Sequence, residues 1–318
     1  MPPKRLRSPS ETAIRKCMRL QSTESCLIVT DHKRQPIGES LYEVANERTD
    51  DASIVRYPPG DQHGEEPPEA VAAAMRNADV VLAPTTKSLT HTRARSEATE
   101  AGARVATLPG ITEEVFVTGL DANYGDIKEH CRDIYKQVTG AEHVRVQTDL
   151  GTDIVFRPGD REWRQDTGIV HDAGAMSNLP AGEVFVSPET ANGTFVVDGT
   201  MMPHGLLEEG HTLEFEVEDG SVTEISDDGV REEIEAAAEE VGQDAYNLAE
   251  LGIGTNVGVT ELVGSVLLDE KAAGTVHIAI GDDHAIGGDT DAPIHLDGVI
   301  RDPRVTVDGE RIDLPSGV

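Results

Sequence analysis

The spacing of apolar and polar residues changes once along this chain, near residue 140. Upstream of that point, short apolar runs alternate with segments of helical period. CLIVTD (26–31) is an unbroken apolar run ending in a turn-forming Asp31, and IGESLYEVANE (37–47) has the three- and four-residue apolar intervals of a helix. ASIVRYP (52–58) reads as a strand stopped by Pro58 and Pro59. PPEAVAAAMRNA (67–78) places its prolines where the start of a helix tolerates them. DVVLAPT (79–85) and RVATLP (104–109) are strands by composition, and THTRARSEATEAGA (90–103) is a helix. GDIKEHCRDIYKQVTG (125–140) is a further helix that ends on a glycine stop. This alternation predicts a doubly wound parallel sheet, which binds ligands beyond the C-terminal ends of its strands. The loop after 79–85, with Ser88, Thr90, His91, Thr92 and Arg95, lies at such a position. Neither GxGxxG after the first strand nor GxxxxGK[ST] anywhere is present, so the sheet has no dinucleotide or P-loop fingerprint.

Downstream, HVRVQTD, TDIVFRPG, EVFVSPE, GTFVVDG, HTLEFEVEDG and SVTEISD are short alternating segments closed by Gly, Pro or Asp, the pattern of antiparallel strands. One helix interrupts them at 227–245, with Val230, Ile234, Ala237, Ala238 and Val241 as its apolar stripe. The expected class is α/β plus α+β: an N-terminal doubly wound parallel α/β domain followed by a mainly antiparallel β domain that carries a metal site. The expected division is a basic tail or first helix at 1–22, the α/β domain at 23–140 and the β-rich domain at 141–318.

Charge narrows the function classes. The 318 residues carry a formal net charge of −32, and no lysine falls between Lys136 and Lys271. Acids spread over the whole sequence, as on the solvated surface of a halophile's protein. Such a field disfavours nucleic acid and anionic membranes as partners. No run approaches the roughly 18 apolar residues of a membrane span, and the basic N-terminus lacks the apolar core of a secretory signal. Three scattered cysteines with no CxxC suit a reduced, cytoplasmic protein. In so acidic a chain a single Asp or Glu is surface by default, and Asp282, Asp283, Asp289 and Asp291 are read as solvated loop acids.

One stretch departs from that default. GTVHIAIGDDHAIGGDTDAPIHLDG (274–298) holds His277, His284 and His295, the last followed at two residues by Asp297. If VHIAIG and IHLDGVI are strands, their period of two puts His277 opposite Val276, Ile278 and Ile280, and sets His295 and Asp297 on a common face away from Leu296. Two earlier segments add carboxylates. NLPAGEVF offers Glu183 just past a tight turn, and NLAELGIG offers Glu250 beside glycines that allow close backbone approach. Two Glu, two His and one Asp suit Zn, Mn, Co or Fe. Five such side chains exceed the three of one catalytic ion and fit two ions about 3.5–4 Å apart sharing a bridging carboxylate.

NLPAGEVF, NLAELGIGTN, VHIAIG and IHLDGVI followed by DPRVTVDG resemble the thermophilic metallo-aminopeptidase family of the aminopeptidase T type. DVVLAPTTKSLTHTRARSEATEAGARVATLPGITEEVF resembles the first domain of that family, so the resemblance covers most of the chain in order. It implies Glu183, Glu250, His277, His295 and Asp297 as ligands of two divalent ions (Zn, Co or Mn), in a homodimer that removes N-terminal residues from peptides. The family's tyrosine seven residues after the strand histidine is His284 here, which becomes the candidate donor to the reacting oxygen or leaving amine. The chain also resembles, more distantly, the non-haem iron dioxygenases that open 2,5-dihydroxypyridine, which implies one Fe(II), a two-His-one-carboxylate site and His91 as a candidate base. A third reading is a metal-stabilised binding protein without turnover.

Overall fold

The computed structural model describes residues 3–316, and its architecture is the α/β plus α+β arrangement expected from the pattern of strands and helices. The chain folds as two compact units. One runs through Lys128 and takes in Asp166–Ala181; the other comprises Glu129–Gln165 and the chain from Gly182 onward.

In chain order the strands begin with β1 (Cys26–Thr30), β2 (Ala52–Arg56), β3 (Val80–Thr85) and β4 (Arg104–Pro109). There follow β5 (Val144–Gln147), β6 (Asp153–Arg157), β7 (Arg164–Asp166), β8 (Met176–Asn178), β9 (Glu183–Val186) and β10 (Thr190–Val197). The next are β11 (Thr200–Met201), β12 (Gly205–Leu206), β13 (Leu213–Glu218), β14 (Ser221–Ile225) and β15 (Leu248–Gly254). The chain closes with β16 (Val276–Gly281), β17 (His295–Ile300), β18 (Arg304–Val307) and β19 (Glu310–Arg311).

The first unit is built on a parallel sheet of order β2-β1-β3-β4-β8. Every residue of β1 and β3 is buried, as continuous apolar runs require when helices cover both faces. Leu27, Val29, Val81 and Val105 from the strands pack with Val71 and Met75 from the helix Glu69–Arg76. The loop that holds His91 ends at Thr92, whose hydroxyl accepts from Arg95 N and so caps the helix Arg93–Glu100. The first residues are helical turns, Lys4–Leu6, Arg7–Glu11 and Thr12–Cys17, and Leu6, Ile14, Cys17 and Met18 are buried.

The second unit holds a seven-stranded sheet, β14-β13-β10-β6-β5-β18-β19, and a five-stranded one, β17-β16-β15-β9-β7. Alternation is clean in β13: Leu213, Phe215 and Val217 are buried while Glu214, Glu216 and Glu218 face solvent. Phe195 stacks on Phe215 across the strand pair at a centroid distance of 4.5 Å. The helix Asp228–Val241 is capped by Asp227, which accepts from Val230 N, and it buries Val230, Ile234 and Ala237. Ala238 and Val241 lie at the half-buried margin of its stripe. All three cysteines are buried and unbridged. Among the described residues no helix is long and apolar enough to cross a membrane.

Candidate metal centre

Strands β9, β15, β16 and β17 lie side by side in the five-stranded sheet, each paired antiparallel with the next. Their register places the polar residues on one face. Ala279, at the centre of β16, has Glu250 opposite it on β15 and Asp297 opposite it on β17. His277 is opposite Gly252, His295 is opposite Gly281, and Glu183 is opposite Gly254. The apolar partners Val276, Ile278 and Ile280 occupy the other face and are fully buried.

β15 is bulged immediately before Glu250, which shares the regular register of Leu251–Ile253. Leu248 is paired with Ile280, and counted from there a regular ladder would set Glu250 opposite Ile278, in the apolar layer. The register slips between Leu248 and Glu250, and Glu250 is paired with Ala279 with its carboxylate toward His277. The glycine two residues on has an equally specific task. A Cβ on Gly252 would lie 2.0 Å from His277 Nε2, so the imidazole lies across bare backbone. Ala279 keeps the space between Glu250 and Asp297 open.

Two overlapping triads result, Glu183–Glu250–His277 and Glu250–His295–Asp297, with ligand atoms within 4.8 Å of one another in each. His277 Nε2 is 3.2 Å from Glu250 Oε1 and 3.4 Å from Glu183 Oε2. His295 Nε2 is 3.5 Å from Glu250 Oε2 and 3.4 Å from Asp297 Oδ1. Donors each about 2.0–2.2 Å from a common ion stand about this far apart. Both imidazoles are oriented in the same way. His277 Nδ1 donates to the Glu270 carbonyl at 2.9 Å, and His295 Nδ1 donates to the Asp282 carbonyl at 2.6 Å. A carbonyl can only accept, so each Nδ1 carries the proton and each Nε2 is turned to the carboxylates, as the imidazoles of metal sites are.

The electrostatics show what the pocket lacks. Burial lowers the His277 pKa, but the hydrogen bond to Glu250 and the charges of Glu183, Glu250 and Asp297 outweigh it and hold the imidazole up to about 9. His295 is likewise held well above the usual histidine range, burial being outweighed by Asp297 and Glu250. Burial pushes the Glu183 and Glu270 carboxyls up, against the pull of Lys271. Asp297, despite burial, is drawn below the usual carboxylate range by His295. Carboxylates crowd two basic nitrogens, and the protein draws protons in where a cation would serve. The donor set therefore fits a bound divalent metal. The acidic and histidine cluster supports a metal-dependent enzyme.

Glu183, Glu250, His277, His295 and Asp297 are thus brought together, the inner three buried and His295 reaching an exposed edge. His284 is exposed, opening a turn (His284–Ile286) in the loop between β16 and β17, and belongs to neither triad. His91 is exposed in the other unit, on the turn before Arg93–Glu100. Asp283 is not a solvated loop acid. It is 4% exposed and accepts from Ser187 Oγ at 2.8 Å, Asn247 Nδ2 at 3.1 Å and Thr290 N at 2.7 Å, which anchors the loop beside the Asp282 carbonyl that orients His295. Sequence reasoning also missed Glu270 and Lys271. Lys271 Nζ lies 3.2 Å from Glu183 Oε1 and pairs with Glu270. Its signal was present as the last lysine of a lysine-poor chain; Glu270 had none among so many acids.

A model of the NicX family, 2,5-dihydroxypyridine 5,6-dioxygenase, matches residues 17–314. Two solved structures share the fold. The 2,5-dihydroxypyridine dioxygenase of Pseudomonas putida is similar with a TM-score of 0.80 and 18% identity, over 100% of this chain and 98% of that one. AmpT from Thermus thermophilus is similar with a TM-score of 0.68 and 20% identity, over 97% of each chain. No curated protein matches. These findings correct the aminopeptidase T reading. The family model is that of the dioxygenase, and its fold scores above the AmpT fold. The peptidase, protease and hydrolase assignment and its dinuclear mechanism are set aside with it. The physical reason lies in the motifs: NLPAGEVF, NLAELGIG, VHIAIG and IHLDGVI build the metal-face sheet of a fold common to both proteins, so they report the sheet and not the reaction.

Proposed function

The chain belongs to the NicX (2,5-dihydroxypyridine 5,6-dioxygenase) family, and on that premise we propose that it is a mononuclear, metal-dependent, ring-cleaving dioxygenase of hydroxylated pyridines or closely related aromatic rings. The observation that carries the proposal is the shared orientation of the two imidazoles, each with Nδ1 tied to a backbone carbonyl and Nε2 facing carboxylates. His277, His295, Glu250 and Asp297 would hold one ion, and two imidazoles with carboxylate are the donor set of non-haem iron oxygenases, which makes Fe(II) the proposed metal. When bound, that ion supplies the redox exchange between an electron-rich ring and dioxygen that side chains cannot provide.

The residues of the chain do the rest. The backbone carbonyls of Glu270 and Asp282 hold both imidazoles in the ligating tautomer. The exposed edge at His295 leaves the ring a way in, while the buried Glu183–His277 end excludes water. A ring hydroxyl must lose its proton for the ring to become electron-rich, and His284 and His91 are proposed for that transfer. In support, His284 sits on the connection between the strands that carry His277 and His295, and His91 follows β3, where parallel sheets present functional groups.

The test is anaerobic loading with Fe(II), metal analysis, then 2,5-dihydroxypyridine and air. One ion per chain is expected, with one dioxygen consumed for each ring lost from the ultraviolet spectrum. Fe(II)-loaded protein that takes up no oxygen with any of a panel of dihydroxylated pyridines and benzenes would refute the assignment.

A further inference from the structure

Lys271 is the first lysine after Lys136 and the last of the chain. It is 2% exposed, among the largest fully buried side chains of an acidic protein. Its backbone is fixed on both sides: Lys271 N donates to Leu268 O at 3.1 Å, and Asn256 N donates to Lys271 O at 2.8 Å. Gly254, opposite Glu183, lets this segment approach β15, because a Cβ there would lie 2.0 Å from Ala272 O. The ammonium is thus delivered to one place, 3.2 Å from Glu183 Oε1 and against Glu270.

That place is the inner triad. By residue type, Glu183, Glu250 and His277 make a complete three-ligand site for a divalent ion, adjoining the outer triad through the shared Glu250. Two triads sharing a carboxylate have the connectivity of a two-metal centre. We propose that Lys271 is the residue that sets the number of ions: its ammonium neutralises Glu183 and takes the place of a second cation at the Glu183 end of the centre, so that one metal only is held, by His277, Glu250, His295 and Asp297. This rests on the one-ion reading given above and explains how a donor set large enough for two ions holds one. A divalent ion bound to Glu183 would sit within a few ångströms of a buried ammonium, and like charges at that separation in a buried site repel strongly. Glu183 is thereby the partner of Lys271 and not a metal ligand, and Lys271 is a positioning residue for the metal.

The experiment is a metal count. Wild type and Lys271→Gln are titrated anaerobically with Fe(II), and with Mn(II) as a redox-silent probe, and bound metal per chain is measured at saturation. Wild type is expected to hold one ion and Lys271→Gln two, with Lys271→Arg, which keeps the cation, remaining at one. The melting temperature of metal-free Lys271→Gln should fall, because Glu183 and Glu270 are left buried without their counter-charge, and should recover on addition of a second equivalent of metal. If wild type holds two ions, the one-ion reading itself fails. If wild type holds one and Lys271→Gln also saturates at one, that reading stands and the role of Lys271 is overturned. Should Lys271→Gln not fold, Glu183→Gln decides: it is expected to keep its one ion, and loss of that ion overturns the proposal.

Discussion

Gly252 is the position at which a single methyl group tests the metal centre. In Gly252→Ala the new Cβ starts 2.0 Å from His277 Nε2, and ordinary contact begins at 3.4 Å, so the imidazole must retreat by about 1.4 Å. Ligand distances in metal sites hold to about 0.2 Å, so a shift of that size removes His277 from the ligand set. Perturbing the groups that merely orient a ligand typically costs 10–100-fold in metal affinity, and loss of the ligand itself should cost at least about 100-fold, or about 2.7 kcal/mol. The assay is competition for Mn(II) or Fe(II) against a chelator of known affinity, with melting temperature recorded in parallel. Gly193→Ala is the control. Its Cβ would lie 2.2 Å from Asp153 O in the seven-stranded sheet, so it destabilises the fold without touching a ligand and should leave metal affinity unchanged. If Gly252→Ala binds metal as tightly as wild type, His277 is not a ligand and the derivation of the centre from its register is wrong.

Three further outcomes are expected. Metal removal should lower the melting temperature by roughly 4 °C, since a ligand at a hundredfold excess over its Kd contributes about 2.7 kcal/mol; an unchanged melting curve after chelation would mean that the folded protein holds no ion. The pH responses of the two forms should run in opposite directions: metal-free protein loses stability as pH rises from about 6.5 through 9, where the raised His277 gives up its proton, whereas metal affinity increases over the same interval because that proton no longer competes, and parallel trends would contradict it. Of His284→Ala and His91→Ala, the variant that removes the proton acceptor should lower turnover about 10²–10⁴-fold with metal content intact, and full turnover in both would end that assignment.

Much of this was legible in the sequence because local signals agreed with the fold. CLIVT, VVLAPT and RVATLP are continuous apolar runs because both faces of the parallel sheet are covered, and they form β1, β3 and β4. The period of two in VHIAIG and HLDGVI placed His277, His295 and Asp297 on one face, as the ladder confirms. What was illegible was non-local. Met176–Asn178 joins the parallel sheet as β8 after the chain has visited the other unit, and three residues carry no periodic signal. The slip before Glu250 cannot be read from LAELGIG, since a regular strand and a bulged one spell the same letters. Asp283 and Glu270 looked like surface because composition had made every acid look so. Both reaction classes were named from the sequence, but the peptidase was placed ahead of the dioxygenase, because the motifs that carried the resemblance belong to the metal-face sheet that the two folds share.

The slip in β15 also makes the centre a matter of parity. One extra residue, Ala249, stands between a strand whose even-numbered side chains face the apolar layer and one whose even-numbered side chains face the metal. Deleting Ala249 would close the bulge into a regular ladder with Leu248 still opposite Ile280 and Glu250 still opposite Ala279, whereas one residue inserted after Glu250, with Leu251–Ile253 held in register, would move Glu250 opposite Ile280 and into the apolar layer. A single codon inserted at that point would therefore withdraw one carboxylate from the proposed centre with no change in the identity of any candidate ligand.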